Sequence, residues 1–206
     1  TLAAAIDRAA ISRVLLQGRA QPADALLPAW LSGYPSFASA SRGQVLSRAT
    51  VAALPAAQRS LAIRVDAADA LGRAMAERVA VDAREAGFSA AVQAPAGLGP
   101  RPDLRLIRLP LESSAPDRAL AALFDGFGPR TLSLLTREPP PTPGSPLEAV
   151  ARLERALLEN GVIVPLVHAP ELFGLGARVD SWNGPLVLPS GAWDLANLWL
   201  VPERAL

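Results

Sequence analysis

The residues able to do chemistry are few. His168 is the only histidine, and an imidazole can act as a base, a proton shuttle or a metal ligand. A metal site needs several ligands at set spacings. None accompanies His168, so a structural or surface role is the plainer reading and no metal is expected. A Ser-His-Asp arrangement is formally available, yet the chain has no Gly-x-Ser-x-Gly elbow, and no hydrolase is expected. Ser113, Ser114 and Asp117 follow a strand at the start of a helix. Helix N-termini attract anions and polar ligands, and strand ends in α/β sheets are where ligands sit. The plainer alternative is capping by Ser114, with Asp117 in the first turn. Trp30 and Tyr34 lie in a loop and offer faces on which a ligand can stack, or else they anchor that loop by packing. Asp7-Arg8 reads as an exposed or hinge-facing ion pair. Gly97-Leu98-Gly99 has no helix after it and is no dinucleotide fingerprint. These residues suggest binding without catalysis and without a cofactor. The tentative ligand-binding set is Trp30, Tyr34, Ser113, Ser114, Asp117 and His168.

The elements that must position them are those of a folded α/β chain. Its 206 residues are half hydrophobic, enough for a sizeable core. The net charge is +1, and all twenty basic residues are arginine. They alternate with acids and form no basic block with aromatic residues, so nucleic acid is not an expected partner. Cysteine is absent, which excludes disulfides and thiolate chemistry. No apolar run reaches the roughly 18 residues of a membrane span. The chain opens at Thr1 without a signal pattern and reads as a mature fragment or an excised domain.

Periodicity predicts a helix over 2–17, stopped by Gly18. Residues 19–60 read as mostly irregular, with a possible strand fragment at Leu26-Leu27-Pro28. Leu61–Val65 alternates as a strand. A helix over about 67–86 follows, opened by Asp66 and Asp69, and Phe88–Gln93 is the next strand. Strand, helix and strand with short joins make a right-handed parallel βαβ unit. Asp103–Leu109 is a further strand, and a helix spans about 116–127. The proline-rich stretch 139–144 is a stiff linker. A helix over 145–160 ends at Gly161, and Val162–Val167 is an apolar strand. Trp182, Trp193 and Trp199 read as core or inter-lobe contacts. The expected class is α/β, a mixed sheet with flanking helices.

Three stretches resemble the peptide/nickel-binding family of extracellular solute-binding proteins. One is Ala5-Ile6-Asp7-Arg8-Ala9-Ala10-Ile11 with Val14-Leu15, Gly18 and Pro22-Ala23. Another is Leu61–Val92, with Ala76-Glu77 and Ala86-Gly87-Phe88. The third is Leu157-Leu158-Glu159-Asn160-Gly161-Val162-Ile163-Val164-Pro165-Leu166. The ending Asp194-Leu195-Ala196-Asn197-Leu198-Trp199 is similar to the family's closing strand. Together they cover most of the chain in the family's order.

The resemblance implies the second lobe of a type II periplasmic-binding-protein fold. Residues 1–170 would be the lobe proper and 171–206 a returning C-terminal segment. It also implies a first lobe that these residues do not contain, a small-molecule or peptide ligand, and an ABC transporter permease as partner. The location would be periplasmic or extracellular, with a membrane-associated lipoprotein possible, and the isolated lobe would be prone to self-association. A ligand-sensing domain of a transcriptional regulator is the alternative, since some regulators carry the same fold. Two departures stand out. The family's longer segment before the 145–160 helix is here the proline-rich linker. Ser114 stands where peptide binders tend to carry an acid.

Overall fold

In a computed structural model, the described residues are 2–34, 46–65, 69–93, 102–111, 113–127, 140–159, 161–170, 176–182 and 194–201. The elements in chain order are α1 Leu2–Ala5, α2 Arg8–Ala10, a π-helical turn Ile11–Leu15, β1 Gln21–Pro22, α3 Ala29–Ser32, α4 Arg48–Ala52, α5 Ala56–Arg59 and β2 Ser60–Arg64. Then come α6 Ala70–Glu85, β3 Ser89–Val92, β4 Leu104–Arg105, α7 Pro116–Phe127, α8 Leu147–Glu159 and β5 Val167–His168. The chain closes with β6 Val179–Trp182, a 3-10 turn Leu195–Asn197 and β7 Leu198–Leu200.

The central sheet has the order β3-β2-β4, and both of its pairings are parallel. The expected parallel βαβ unit is therefore present, with Leu61 opposite Ala90 and Ile63 opposite Val92. Alternation along the strands turns Leu61, Ile63, Val65, Ala90, Val92 and Leu104 to one face. There they meet Ala76, Val79, Ala80 and Ala83 of α6 in one apolar cluster. Small alanines let the helix lie close to the sheet. Asp69 caps α6, and its Oδ1 accepts the Gly72 amide at 2.8 Å. A Cβ on Gly72 would fall 2.5 Å from the Asp69 carboxylate, so the cap requires glycine there. Asp66, the other expected cap, lies outside the described residues. Gly87 ends the helix in a left-handed conformation, φ 104°, which glycine adopts without strain.

Several expectations need correction. The sheet is not one mixed sheet. Antiparallel pairing occurs in two separate two-stranded ribbons, β1 with β5 and β6 with β7. The helix expected over 2–17 breaks at Asp7, whose backbone leaves the helical region and whose Oδ1 caps α2 through the Ala10 amide at 2.8 Å. Nor are Asp7 and Arg8 an exposed ion pair. Arg8 is buried and donates Nε to the Pro165 carbonyl at 2.8 Å and Nη1 to the Ala3 carbonyl at 3.0 Å. Meanwhile the Asp7 amide donates to Asp82 Oδ2 at 2.9 Å.

The apolar run Val162–Val167 pairs only at Val167, in β5. Proline at 165 cannot donate to a ladder, and its carbonyl is taken by Arg8. The strand expected over Asp103–Leu109 is limited to Leu104–Arg105, because β2 ends at Arg64 and offers little further partner. Leu26-Leu27-Pro28 is no strand. Trp199 is 62% exposed and lies outside the core. The side chain of Trp182, and all of Trp193, lie outside what is described.

A second apolar cluster joins α7 and α8. Leu120, Leu123, Phe124 and Phe127 of α7 meet Val150, Leu153 and Leu157 of α8, with Leu27 from the loop before α3 and Leu31 from α3 itself. Residues 163–167 run between the two clusters, Ile163 touching this one and Val164, Leu166 and Val167 the sheet cluster. Gly126 lets Leu109 pack on α7, since a Cβ would meet Leu109 Cδ2 at 2.6 Å.

Candidate functional site

On α8 the buried positions are Val150, Leu153, Glu154, Leu157 and Leu158, spaced i, i+3, i+4, i+7 and i+8. That is one helical stripe, and it contains a carboxylate. Glu154 is fully buried. A buried carboxylate must be hydrogen-bonded to be tolerated. Here Oε1 accepts the Leu26 amide and the Leu27 amide, the latter at 3.0 Å, and Oε2 accepts the Tyr34 hydroxyl. Among the described residues no cation pairs with it. Burial raises the Glu154 pKa, and the bonds from Tyr34 and the two amides oppose that rise. Tyr34 is pushed up in turn, first by burial, then by the Glu154 charge and the hydrogen bond to it.

The same loop is held from its other side by His168 on β5, whose Nε2 lies 3.1 Å from the Leu26 carbonyl. Burial lowers the His168 pKa, and the carbonyls of Leu26 and Ala25 oppose the change. Residues 25–34 are thus fastened by a helix and by a strand. The short helix α3 grows from this segment. Pro28 precedes it, and Gly33 ends it at φ 71°. Leu31 and Ser32 are buried, whereas Trp30 points outward with 73% of its surface exposed.

The structure brings together Tyr34 and His168, both bonded to the machinery of one loop, and displays Trp30 from it. Tyr34 is not a free stacking face: its ring is partly buried against the α7–α8 cluster and against Ala25 and Leu158, and its hydroxyl donates to Glu154. Ser113, Ser114 and Asp117 stand apart, at the start of α7. The side chain bonded there is Ser113, whose Oγ accepts the Ala115 amide at 3.1 Å, and not Ser114, which is exposed. Asp117 Oδ2 accepts the Gly144 amide at 2.7 Å, which lowers its pKa and ties the proline-rich segment to the helix start.

Glu154 was missed by sequence reasoning that searched for reactive types. The signal was available as an acid inside the apolar stripe of an otherwise amphipathic helix. Among the described residues no group of three or more His, Asp or Glu side chains could hold a metal ion. No described helix is long and apolar enough to cross a membrane. A shallow cleft of about 240 Å³ is lined by Leu109, Pro110, Ala122, Asp125 and Gly126, smaller than common ligand sites.

The His168 environment has a pH consequence. A histidine whose folded pKa is lowered stabilises the protein above its ordinary value of about 6.5, and that contribution is lost as pH falls through the folded pKa. Urea unfolding of His168→Gln at several pH values should therefore lack part of the acid-side loss seen in the parent. Parallel pH curves for the two proteins would exclude His168 as the titrating group.

Comparison with known proteins found no family model that matches the chain and no matching curated protein.

Proposed function

We propose that this chain is the ligand-binding lobe of an extracellular solute-binding protein, serving an ABC importer with a peptide or a similar small solute. The finer fold assignment, the second lobe of a type II periplasmic-binding-protein fold, belongs to the same proposal. So do the periplasmic or extracellular location and the partnership with a first lobe and a permease.

The ordered sequence resemblance supports this reading, and one structural observation carries it. Trp30 is held out to solvent on a short helix whose Leu31 and Ser32 are buried and whose loop is fastened at both sides. An indole on a rigid support loses little conformational freedom when a ligand stacks on it. In a two-lobed protein, the ligand would bridge this surface and the first lobe, and closure would select the form that the importer engages.

The test is calorimetry with trialanine, maltose and nickel chloride, on the 206-residue chain and on the full-length gene product. One of these probes should bind the longer protein at least about a hundredfold more tightly, the equivalent of about 3 kcal/mol from the first lobe. Trp30→Ala should weaken that binding about tenfold without changing the melting temperature. Equal affinity for the two proteins, or an indifferent Trp30→Ala, would sink the proposal.

A further inference from the structure

Residues 140–143 read Pro-Pro-Thr-Pro. Proline fixes φ near −65°, and a residue that precedes proline is driven out of the helical region. Pro140 and Thr142 each precede a proline, and 140–142 are neither helical nor paired with a strand. Their backbone follows a polyproline II path. A turn stops that path. Pro143 and Gly144 are its central residues, the Ser145 amide donates to the Thr142 carbonyl at 2.9 Å, and Gly144 sits at φ 89°. Proline followed by a left-handed glycine is the type II pattern. Two further bonds lock the turn. Ser145 Oγ accepts the Thr142 amide at 3.0 Å, and Asp117 Oδ2 at the start of α7 accepts the Gly144 amide at 2.7 Å.

The result is a short rod with one edge turned outward. A polyproline II helix has about three residues per turn, so Pro140 and Pro143 stand on the same edge about 9 Å apart. Both are exposed, whereas Pro141, on another edge, is half-buried. The hydrogen-bonding capacity of the rod is one-sided. Its three prolines have no N–H, and its one amide, on Thr142, is committed to Ser145. Among the described residues nothing donates to the Pro140 or Pro141 carbonyl. A strand cannot pair with such an edge, because a ladder needs donors from both sides. A partner has to bring slots for pyrrolidine rings and donors for carbonyls. A groove lined by aromatic side chains brings both, since flat ring faces take the prolines while tryptophan and tyrosine donate N–H and O–H.

We propose that residues 140–143 are a docking segment for a separate protein whose aromatic-lined groove binds polyproline II peptides. Pro140 and Pro143 are its anchors. The turn and the Asp117 bond fix the segment's conformation before the partner arrives, which reduces the freedom lost on binding. The inference does not depend on the solute-binding reading, which concerns Trp30 and the loop that carries it.

The experiment titrates the 206-residue chain into an isotope-labelled SH3 domain and, separately, a WW domain, following the indole N–H signals of each groove by NMR. Saturable shifts are expected in at least one of the two, with a dissociation constant of about 0.1 mM or tighter. Pro140→Ala should weaken that binding at least about tenfold. Its melting temperature should match the parent's, because the ring is exposed. Asp117→Ala, which frees the Gly144 amide, should weaken binding about threefold through lost preorganisation. Pro110→Ala, at an exposed proline elsewhere, should leave it unchanged. Sedimentation of the chain alone tests the other occupant, a second copy docking through its exposed Trp30 or Trp199. Any self-association should persist in Pro140→Ala. Three results would each overturn the proposal: no saturable shift in either domain, unchanged affinity in Pro140→Ala, or self-association of the chain that disappears in that variant.

Discussion

Glu154→Ala is expected to lower the unfolding free energy by about 3–5 kcal/mol. The carboxylate accepts two backbone amides and a tyrosine hydroxyl, and the side chain is fully buried. Alanine would leave those donors without their acceptor, at about 1–3 kcal/mol for each buried group that water cannot reach. It would also leave a space that the loop fills only in part. Glu154→Gln keeps one carbonyl oxygen for the amides and most of the volume, so its loss should be nearer 1 kcal/mol. Urea unfolding of the three proteins at neutral pH measures this directly. A loss below about 1 kcal/mol for the alanine variant would mean that Glu154 does not anchor residues 25–34.

The same pair has a pH signature whose sign follows from burial. The folded-state pKa of Glu154 is raised, so the folded protein holds the proton more tightly than the unfolded chain. That contribution is fully present below the ordinary glutamate value of about 4.3 and is lost as pH rises through the raised folded value. Glu154→Gln should therefore remove a decline in stability that begins near the ordinary glutamate value and is complete above the raised folded one. His168 acts in the opposite direction over neighbouring pH. The two are separated only by comparing each variant with the parent, not by the shape of one curve.

Phe124→Ala should lower stability by about 3–5 kcal/mol, and the melting temperature by roughly 10 °C for a chain of this size. The ring is 1% exposed at the centre of the α7–α8 cluster. It tilts against Phe127 with centroids 6.5 Å apart and planes at 56°, an arrangement that adds to the burial term. Phe124→Leu keeps most of the apolar volume and should lose only about 1–2 kcal/mol. Differential scanning calorimetry distinguishes these cases. A loss under about 1 kcal/mol for the alanine variant would remove Phe124 from the core. The contrast with Trp30 is the useful one. Both are large aromatic residues, but truncating the exposed indole should leave the melting temperature unchanged.

Local pattern determined much of this protein. The α6 and α7 helices, the glycine stop at Gly87 and the parallel pairing of β2 with β3 follow from periodicity, capping residues and short connections. All of these act within a few residues or across one βαβ unit. The amino-acid sequence also marked Trp30, Tyr34 and His168 as unusual, but their roles required the tertiary structure. Whether a tyrosine stacks on a ligand or binds a buried acid depends on an element 120 residues away, Glu154 on α8. His168 likewise faces Leu26 across 142 residues. The burial of Arg8 was decided in the same way, by a carbonyl at Pro165 that also shortened the expected strand there. So was the bond from Arg64 to Gln93, because register between strands fixes which side chains are neighbours. Short-range spacing cannot encode such a choice. It is made when separate elements compete for the same buried hydrogen-bonding groups and the same faces of a sheet.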